Sequence, residues 1–228
     1  MRVQLAQQVR ESRGQSDLVL LTERVDDVAL LIGHMVTMGF VEVLDRPIPR
    51  PGKQRGLSWG WTVGIWLADI LTEGDHRQVS VAAYVQGRKT TLSQLSGAVI
   101  EPRDCRDDRL SHLLPDLSKP KYGHQIERDL HDRRMEVYAL PQDVIRCEAT
   151  TVSGAHEVLE GRLLQFGQSQ ADPTRPQSKV MRGSLAPLGM PLSTDGLSGE
   201  RADDGLSLSL IERIRTGLKT RSTRYSWR

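Results

Sequence analysis

Apolar residues in the first half of the chain recur at helical spacing between short polar or glycine-rich breaks. From residue 22 onward they return every three or four positions, a spacing that buries one face of an α-helix. The segment from Leu57 to Leu71 is apolar almost all round, which favours a helix at the centre of a bundle. Further helices are predicted near 77–85, 90–95 and 110–114, the last stopped by Pro115, and a long amphipathic helix over 126–137.

The pattern changes after Pro141. Val144 to Cys147 is a β-type run, and the segments 179–186 and 190–194 flank a turn of the hairpin type. A helix with the buried stripe Leu210, Ile211, Ile214 and Leu218 is predicted to follow. The sequence therefore predicts an α+β protein with a flexible arm (1–21), a helical domain (22–141), a strand–hairpin–helix domain (142–218) and a basic tail (219–228).

Composition supports a folded chain and leaves its partner open. Hydrophobic residues make up 38% and charged residues 26%, while the net charge is only +2, which by itself does not indicate nucleic-acid binding. After Glu212 the chain contains cationic residues and no acidic ones, so its end favours polyanions or is a solvated terminus. Two cysteines, no signal peptide and no membrane-spanning run predict a cytoplasmic protein.

One carboxylate stands out as candidate chemistry. Glu148 follows an apolar β-type run, a position suited to binding a divalent metal, although from one residue alone an ordinary surface acid is the favoured interpretation. Asp203 and Asp204 are explained as helix caps, and the six histidines are dispersed without a zinc spacing. The residues alone therefore indicate a helical domain followed by an α/β segment, and no reaction.

A cationic linker is the candidate DNA contact. The stretch from Arg46 to Gly56 holds three prolines, two glycines and four cations, which are Arg46, Arg50, Lys53 and Arg55. Prolines and glycines disfavour a helix there. The crowded cations predict contacts to DNA phosphates, and a positively charged surface loop is an equally good interpretation.

Three short blocks, in a fixed order, resemble motifs of one known family. The first includes Gln54–Arg55–Gly56–Leu57–Ser58 and Asp75–His76–Arg77, and the second is Arg146–Cys147–Glu148–Ala149–Thr150–Thr151. The third includes Lys179–Val180–Met181, Pro187–Leu188–Gly189–Met190–Pro191 and Gly199–Glu200–Arg201–Ala202–Asp203–Asp204. Together these blocks resemble DDE transposases of the insertion-sequence-four type, the branch with a helical N-terminal domain.

The resemblance implies an RNase H-like catalytic core in the second half of the chain. In that family, three carboxylates hold two Mg²⁺ ions that activate water or a 3′-hydroxyl for attack on DNA phosphate. Glu148 stands at the family's first catalytic position, where the family carries Asp, so it is the implied metal ligand. Double-stranded DNA at transposon ends, and an intact transposase or a second copy, are the implied partners.

The sequence departs from the family after Leu218. A fourth strand with the second Asp is expected there, whereas residues 219–228 are polar and basic. We hypothesise a frameshift near Lys219, because reading the codons of 220–228 one base later permits an apolar strand ending in Asp. The leading interpretation is thus a truncated transposase with an incomplete RNase H-like core, catalytically inactive, with DNA binding as its candidate activity. The alternatives are a regulatory fragment that inhibits an intact transposase, and an active metal-dependent nuclease using Glu148, Asp195 and Asp203 or Asp204.

Overall fold

The chain folds as an α+β protein in two compact units, Met1–Tyr122 (unit 1) and Gly123–Arg228 (unit 2). The computed structural model describes residues 22–50, 52, 56–155, 157–167, 174–201, 206–217 and 224–227. The predicted arm over 1–21 lies outside the described residues, as do Lys53, Arg55, Asp203 and Asp204.

Unit 1 is built from helices. They are α1 (Val28–Thr37), α2 (Phe40–Asp45), α3 (Trp59–Glu73), α4 (Gln78–Gln86), α5 (Lys89–Ser96), a 3₁₀ turn (Pro102–Cys105), α6 (Asp107–Leu117) and the start of α7 (Pro120–Tyr138). The apolar helix predicted from Leu57 to Leu71 is α3, which packs against α1, α2, α4 and α6. Its N-terminus is capped by Ser58, whose side chain accepts from the Trp61 N–H at 3.3 Å. The core includes Val28, Ile32, Ile65, Val81, Leu92, Cys105 and Leu110, all buried.

Two features of unit 1 differ from the prediction. Pro115 lies inside α6 and does not end it. Pro115 falls in the last turn of the helix, and that turn is still closed by the Ser118 N–H, which donates to the Leu114 carbonyl at 2.9 Å. The short helix α2 was not predicted, because six residues are too few to establish a period.

Unit 2 is a four-stranded sheet with two helices. Its elements after α7 are β1 (Val144–Ser153), β2 (Gln177–Leu185), β3 (Met190–Ser198), α8 (Leu206–Gly217) and β4 (Arg224–Trp227). The sheet order is β3-β2-β1-β4. Strands β1, β2 and β3 are antiparallel neighbours, whereas β4 runs parallel to β1. The predicted strand, hairpin and helix are therefore all present in the predicted order.

The fourth strand corrects the sequence prediction for the end of the chain. Residues 219–228 were expected to be an aberrant basic tail, yet Arg224–Trp227 pair with β1, Tyr225 opposite Ile145 and Trp227 opposite Cys147. Strand pairing uses backbone groups, and the alternation of Tyr225 and Trp227 with polar residues fits a strand period of two. Within the described residues β1 therefore has a neighbouring strand on both sides.

Alternate residues of the strands face opposite sides of the sheet. Ile145, Cys147, Met181 and Leu185 are buried on one side, where Leu210 and Ile214 of α8 pack against them. Arg146 and Arg182 are exposed on the other side. Met135 of α7 also packs against the core of unit 2, so the boundary between the units falls within α7 and earlier than the predicted position near residue 142.

Helices α2 and α3 approach each other closely at Gly60. The Gly60 N–H donates to Asp45 Oδ1 at 2.7 Å. A Cβ at this position would overlap the Val41 carbonyl oxygen and lie 2.8 Å from Val41 Cα. These are backbone atoms, so the overlap requires one helix to move.

We expect Gly60→Ala to destabilise the protein, by about 2 kcal/mol or more, because the added methyl group overpacks a backbone contact. The matched control is Gly33→Ala, also within a helix, where nothing lies within 4 Å of an added Cβ. That substitution should stabilise the protein by about 0.5–1 kcal/mol through helix propensity. Denaturant unfolding followed by tryptophan fluorescence measures both, and equal effects of the two substitutions would contradict the packing argument.

A carboxyl group is buried in unit 1. Asp69 of α3 is 2% exposed, and its Oδ2 accepts from the Ser80 hydroxyl at 3.1 Å. Burial raises the pKa of the Asp69 carboxyl, opposed by the Ser80 hydrogen bond and assisted by Asp75 and Glu73. Because the folded pKa is raised, Asp69 favours folding below its unfolded pKa of 3.8, and that contribution is lost as the pH rises through the folded pKa.

We therefore expect Asp69→Asn to become increasingly stable relative to the wild type as the pH rises from about 3 to 7. The asparagine keeps an oxygen to accept from Ser80 and never ionises, so it avoids the desolvation that the carboxylate suffers. Denaturant unfolding at several pH values measures the difference. A difference that stays constant over this range would mean that ionisation of Asp69 does not limit stability.

Candidate nucleic-acid interface

Glu148 lies on the sheet face that α8 leaves uncovered. It stands opposite Arg182 of β2, whose Nε donates to Glu148 Oε1 at 2.7 Å and whose Nη2 donates to the same oxygen. The two side chains are 37% and 48% exposed. Arg146 precedes Glu148 by two residues and therefore lies on the same face. The carboxylate is thus held by one guanidinium and flanked by another.

The surroundings of Glu148 do not fit Mg²⁺, which prefers several oxygen ligands. Cross-strand partners share a face, and Glu148 aligns with Arg182 and Thr194, whereas Asp195 aligns with Met181 on the other face. Asp195 Oδ1 instead accepts from Arg213 Nη1 at 2.5 Å. Glu148 and Asp195 therefore do not converge, which contradicts a nuclease site made from both. Within the described ranges there is no group of three or more His, Cys, Asp or Glu side chains that could hold a metal.

The predicted cationic linker is only partly within the described residues. Arg46 and Arg50 are exposed, and Lys53 and Arg55 lie outside the described ranges. The Arg50 guanidinium donates to the Gly56 carbonyl and, at 3.5 Å, to the Leu57 carbonyl. Arg50 therefore helps to close the linker on itself while remaining accessible to solvent.

A second arginine converges on the same carbonyls from a distant part of the sequence. Arg109 of α6 donates to the Leu57 carbonyl and lies 3.5 Å from the buried Asp104 carboxylate. Its guanidinium carbon is 5.4 Å from the centroid of the Trp59 ring. Burial lowers the pKa of Arg109, opposed by the Asp104 charge. The Arg109 guanidinium is thus partly buried and is held by a backbone carbonyl, a carboxylate and an aromatic ring.

A cleft of about 550 Å³ opens beside this contact. Its lining contains three arginines, two acidic residues, a glycine and a valine. These residues are Gly56, Val99, Glu101, Arg103, Asp104, Arg106 and Arg109. Glu101 is paired with Lys89 at 2.7 Å, and Asp104 with Arg109. Arg106 lies 3.6 Å from Asp108, with its side chain 61% exposed. Arg103 is exposed and has no partner among the described residues, so Arg103 and Arg106 are the cations offered to a ligand.

The sequence predicts the linker as a DNA contact and gives no indication of Arg103 and Arg106. The two arginines are separated from the linker by α3, α4 and α5, and no motif or spacing connects them. Only the packing of α6 against α3 and α4 brings them beside Gly56.

The chain offers no match to known proteins from which a role could be transferred. No family model, curated protein or solved structure matches it. None of the helices in the described part of the chain is long and apolar enough to cross a membrane.

We expect Gly56→Ala to disrupt the base of the cleft. Gly56 has a φ of +87°, and a Cβ there would overlap Asp104 Oδ1 and lie 3.1 Å from its Cγ. Asp104 cannot move freely, because its Oδ2 accepts from the Glu101 N–H at 3.0 Å and its carboxylate pairs with Arg109.

Gly97→Ala is the control for that substitution. Its φ is +66°, but nothing lies within 4 Å of an added Cβ, so only the left-handed backbone is penalised, by about 1–2 kcal/mol. Gly56→Ala should cost roughly 1–3 kcal/mol more, measured by denaturant unfolding. Equal losses in the free energy of unfolding for the two variants would show that the contact with Asp104 does not contribute to the effect.

Proposed function

We propose that this chain is a DNA-binding protein of the transposase type, and that unit 1 contacts the DNA through its phosphates. The observation that carries this proposal is the convergence of Arg103, Arg106 and Arg109 around one cleft, with Arg50 donating to the carbonyl of Gly56 in its lining. Guanidinium groups bind phosphate oxygens in bidentate geometry and stay charged at all physiological pH values.

The backbone that carries Arg103 and Arg106 is held in place before any ligand arrives. Arg103 lies within the 3₁₀ turn and Arg106 directly follows it. Reciprocal hydrogen bonds between Glu101 and Asp104 cap that turn, and Asp104 is anchored to Arg109. A rigid turn loses less conformational entropy when a ligand binds. The two arginines are therefore suited to positioning a phosphate backbone.

We further infer that unit 2 is an RNase H-like core, as the resemblance implies. The order β3-β2-β1-β4 supports this, with an antiparallel β1–β2–β3 meander and β4 parallel to β1. The position of α8 between β3 and β4 in the chain, packed on the sheet, is a second supporting feature.

We propose that this core does not cut DNA. The carboxylate at the first catalytic position, Glu148, is bonded to Arg182. A divalent ion bound to Glu148 would have to displace the Arg182 guanidinium, and it would be repelled by the positive charge of Arg146 on the same face. Asp195, the nearest candidate in the hairpin, is on the opposite face of the sheet. The proposed activity is therefore binding of double-stranded DNA without strand cleavage.

The test is the salt dependence of DNA binding by the full chain. We expect affinity for a fluorescent duplex to fall linearly on a logarithmic plot against salt. Arg103→Ala/Arg106→Ala should lower affinity on any sequence and reduce the slope by about 2, one for each lost phosphate contact. Fluorescence anisotropy between about 50 and 200 mM salt measures both quantities.

The matched control is Arg77→Ala/Arg133→Ala. Both arginines are exposed and paired with a neighbouring carboxylate, Asp75 and Glu136. This variant loses the same net charge at residues that do not line the cleft and should retain the wild-type slope. Equal slopes for wild type and both variants would exclude the cleft as the contact, and binding that does not respond to salt would exclude phosphate binding altogether.

A further inference from the structure

Strand β3 forms one end of the sheet in unit 2. The order β3-β2-β1-β4 gives it β2 as its only strand neighbour in the described sheet. Alternate residues of an edge strand direct their N–H and C=O groups away from the sheet, where another chain can pair with them. The free side of β3 is thus a potential pairing surface.

Two side chains close this edge at its midpoint. Thr194 is the central residue of Met190–Ser198, and its N–H donates to Glu127 Oε1 of α7 at 2.8 Å. Its carbonyl accepts from Arg213 Nη2 of α8 at 3.1 Å. A carboxylate and a guanidinium therefore take the hydrogen bonds that a neighbouring strand would otherwise make.

The closing pair is held by a network of further bonds. Arg213 Nε donates to Ser193 Oγ at 2.7 Å, and Nη1 donates to Asp195 Oδ1 at 2.5 Å and to His124 Nε2 at 2.8 Å. Glu127 Oε2 accepts from the Ser193 hydroxyl at 2.9 Å and lies 3.6 Å from Arg213. The Arg213 and Glu127 side chains are only 17% and 29% exposed. Glu127 and Arg213 are thus bound to several groups of β3 and are largely shielded from solvent, unlike an ion pair on an exposed surface.

We propose that Glu127 and Arg213 form a latch over the edge of β3, and that releasing the latch lets β3 pair with the β3 of a second copy of this chain. Two identical antiparallel strands related by a two-fold axis at Thr194 place the N–H of one Thr194 opposite the carbonyl of the other. Such a pair satisfies the same two backbone groups that the latch now satisfies. The inference concerns self-association and does not depend on DNA binding.

The first experiment compares the dimerisation of full-length variants by sedimentation equilibrium. Glu127→Ala/Arg213→Ala should lower the dimer dissociation constant by about tenfold or more, because at least one strand–strand hydrogen bond becomes available on each side. The control is Arg133→Ala/Glu136→Ala, an exposed pair on the same helix α7, which should leave the constant unchanged. Glu127→Gln retains an oxygen that accepts from the Thr194 N–H and should also behave like the wild type.

Two additions to the released variant identify the strand that pairs. Thr194→Pro removes the central N–H donor and should restore the wild-type dissociation constant. Thr194→Cys places two thiols across the two-fold axis, so a glutathione redox buffer, which accepts the two electrons and protons, should yield a disulfide-linked dimer. A dimer that forms without this disulfide would mean that β3 pairs with a different segment, and it would overturn the β3–β3 pairing.

Folding is checked before the association data are interpreted. Each variant should show a wild-type circular dichroism spectrum and a cooperative melt. If the double variant fails this check, Glu127→Ala alone is used: it frees the Thr194 N–H while Arg213 keeps its bonds to Asp195, Ser193 and the Thr194 carbonyl, so it should lower the dissociation constant by a smaller factor than the double variant. A folded released variant with the sedimentation behaviour of the wild type would overturn the latch.

Discussion

The arrangement of unit 2 depends on the position of one guanidinium group. Arg213 reaches from α8 to Asp195 on β3 and to His124 on α7, and three elements distant in sequence are joined through it. A largely buried guanidinium is tolerated only when its donors are satisfied and its charge is opposed. The carboxylates of Asp195 and Glu127 oppose the charge. Because Glu127 belongs to α7, its interaction with Arg213 holds α7 against the sheet.

Unit 1 uses a buried arginine in a different way. Arg109 lies 3.5 Å from the carboxylate of Asp104 and also donates to a backbone carbonyl of the segment that precedes α3. Backbone carbonyls carry no net charge, so the carbonyls that accept from Arg50 and Arg109 do not offset the positive charge of these guanidinium groups. The same interaction that fixes the linker therefore also makes its surroundings attractive to anions.

Local patterns predicted what depends on neighbours in sequence, and they failed where distant contacts decide. The almost continuous apolar run of α3 and the β-type run before Glu148 identified a helix and a strand, because the burial of a segment limits which of its positions are polar. The cleft could not be predicted, since Arg103 and Arg106 meet Gly56 only through helix packing. Likewise, nothing near Glu148 in sequence indicates its bond to Arg182, and Arg224–Trp227 looked like a polar tail because backbone pairing with β1 leaves little trace in composition.

The two cysteines fall one to each unit, Cys105 in the core of unit 1 and Cys147 in the central strand β1. Burial raises the pKa of the Cys105 thiol to about 12 and also raises the pKa of Cys147. Neither thiol can react with an alkylating reagent until its own unit opens. The wild-type chain thus contains one thiol in each unit that reports the opening of that unit. The two alkylation rates tell whether the units unfold together or one at a time.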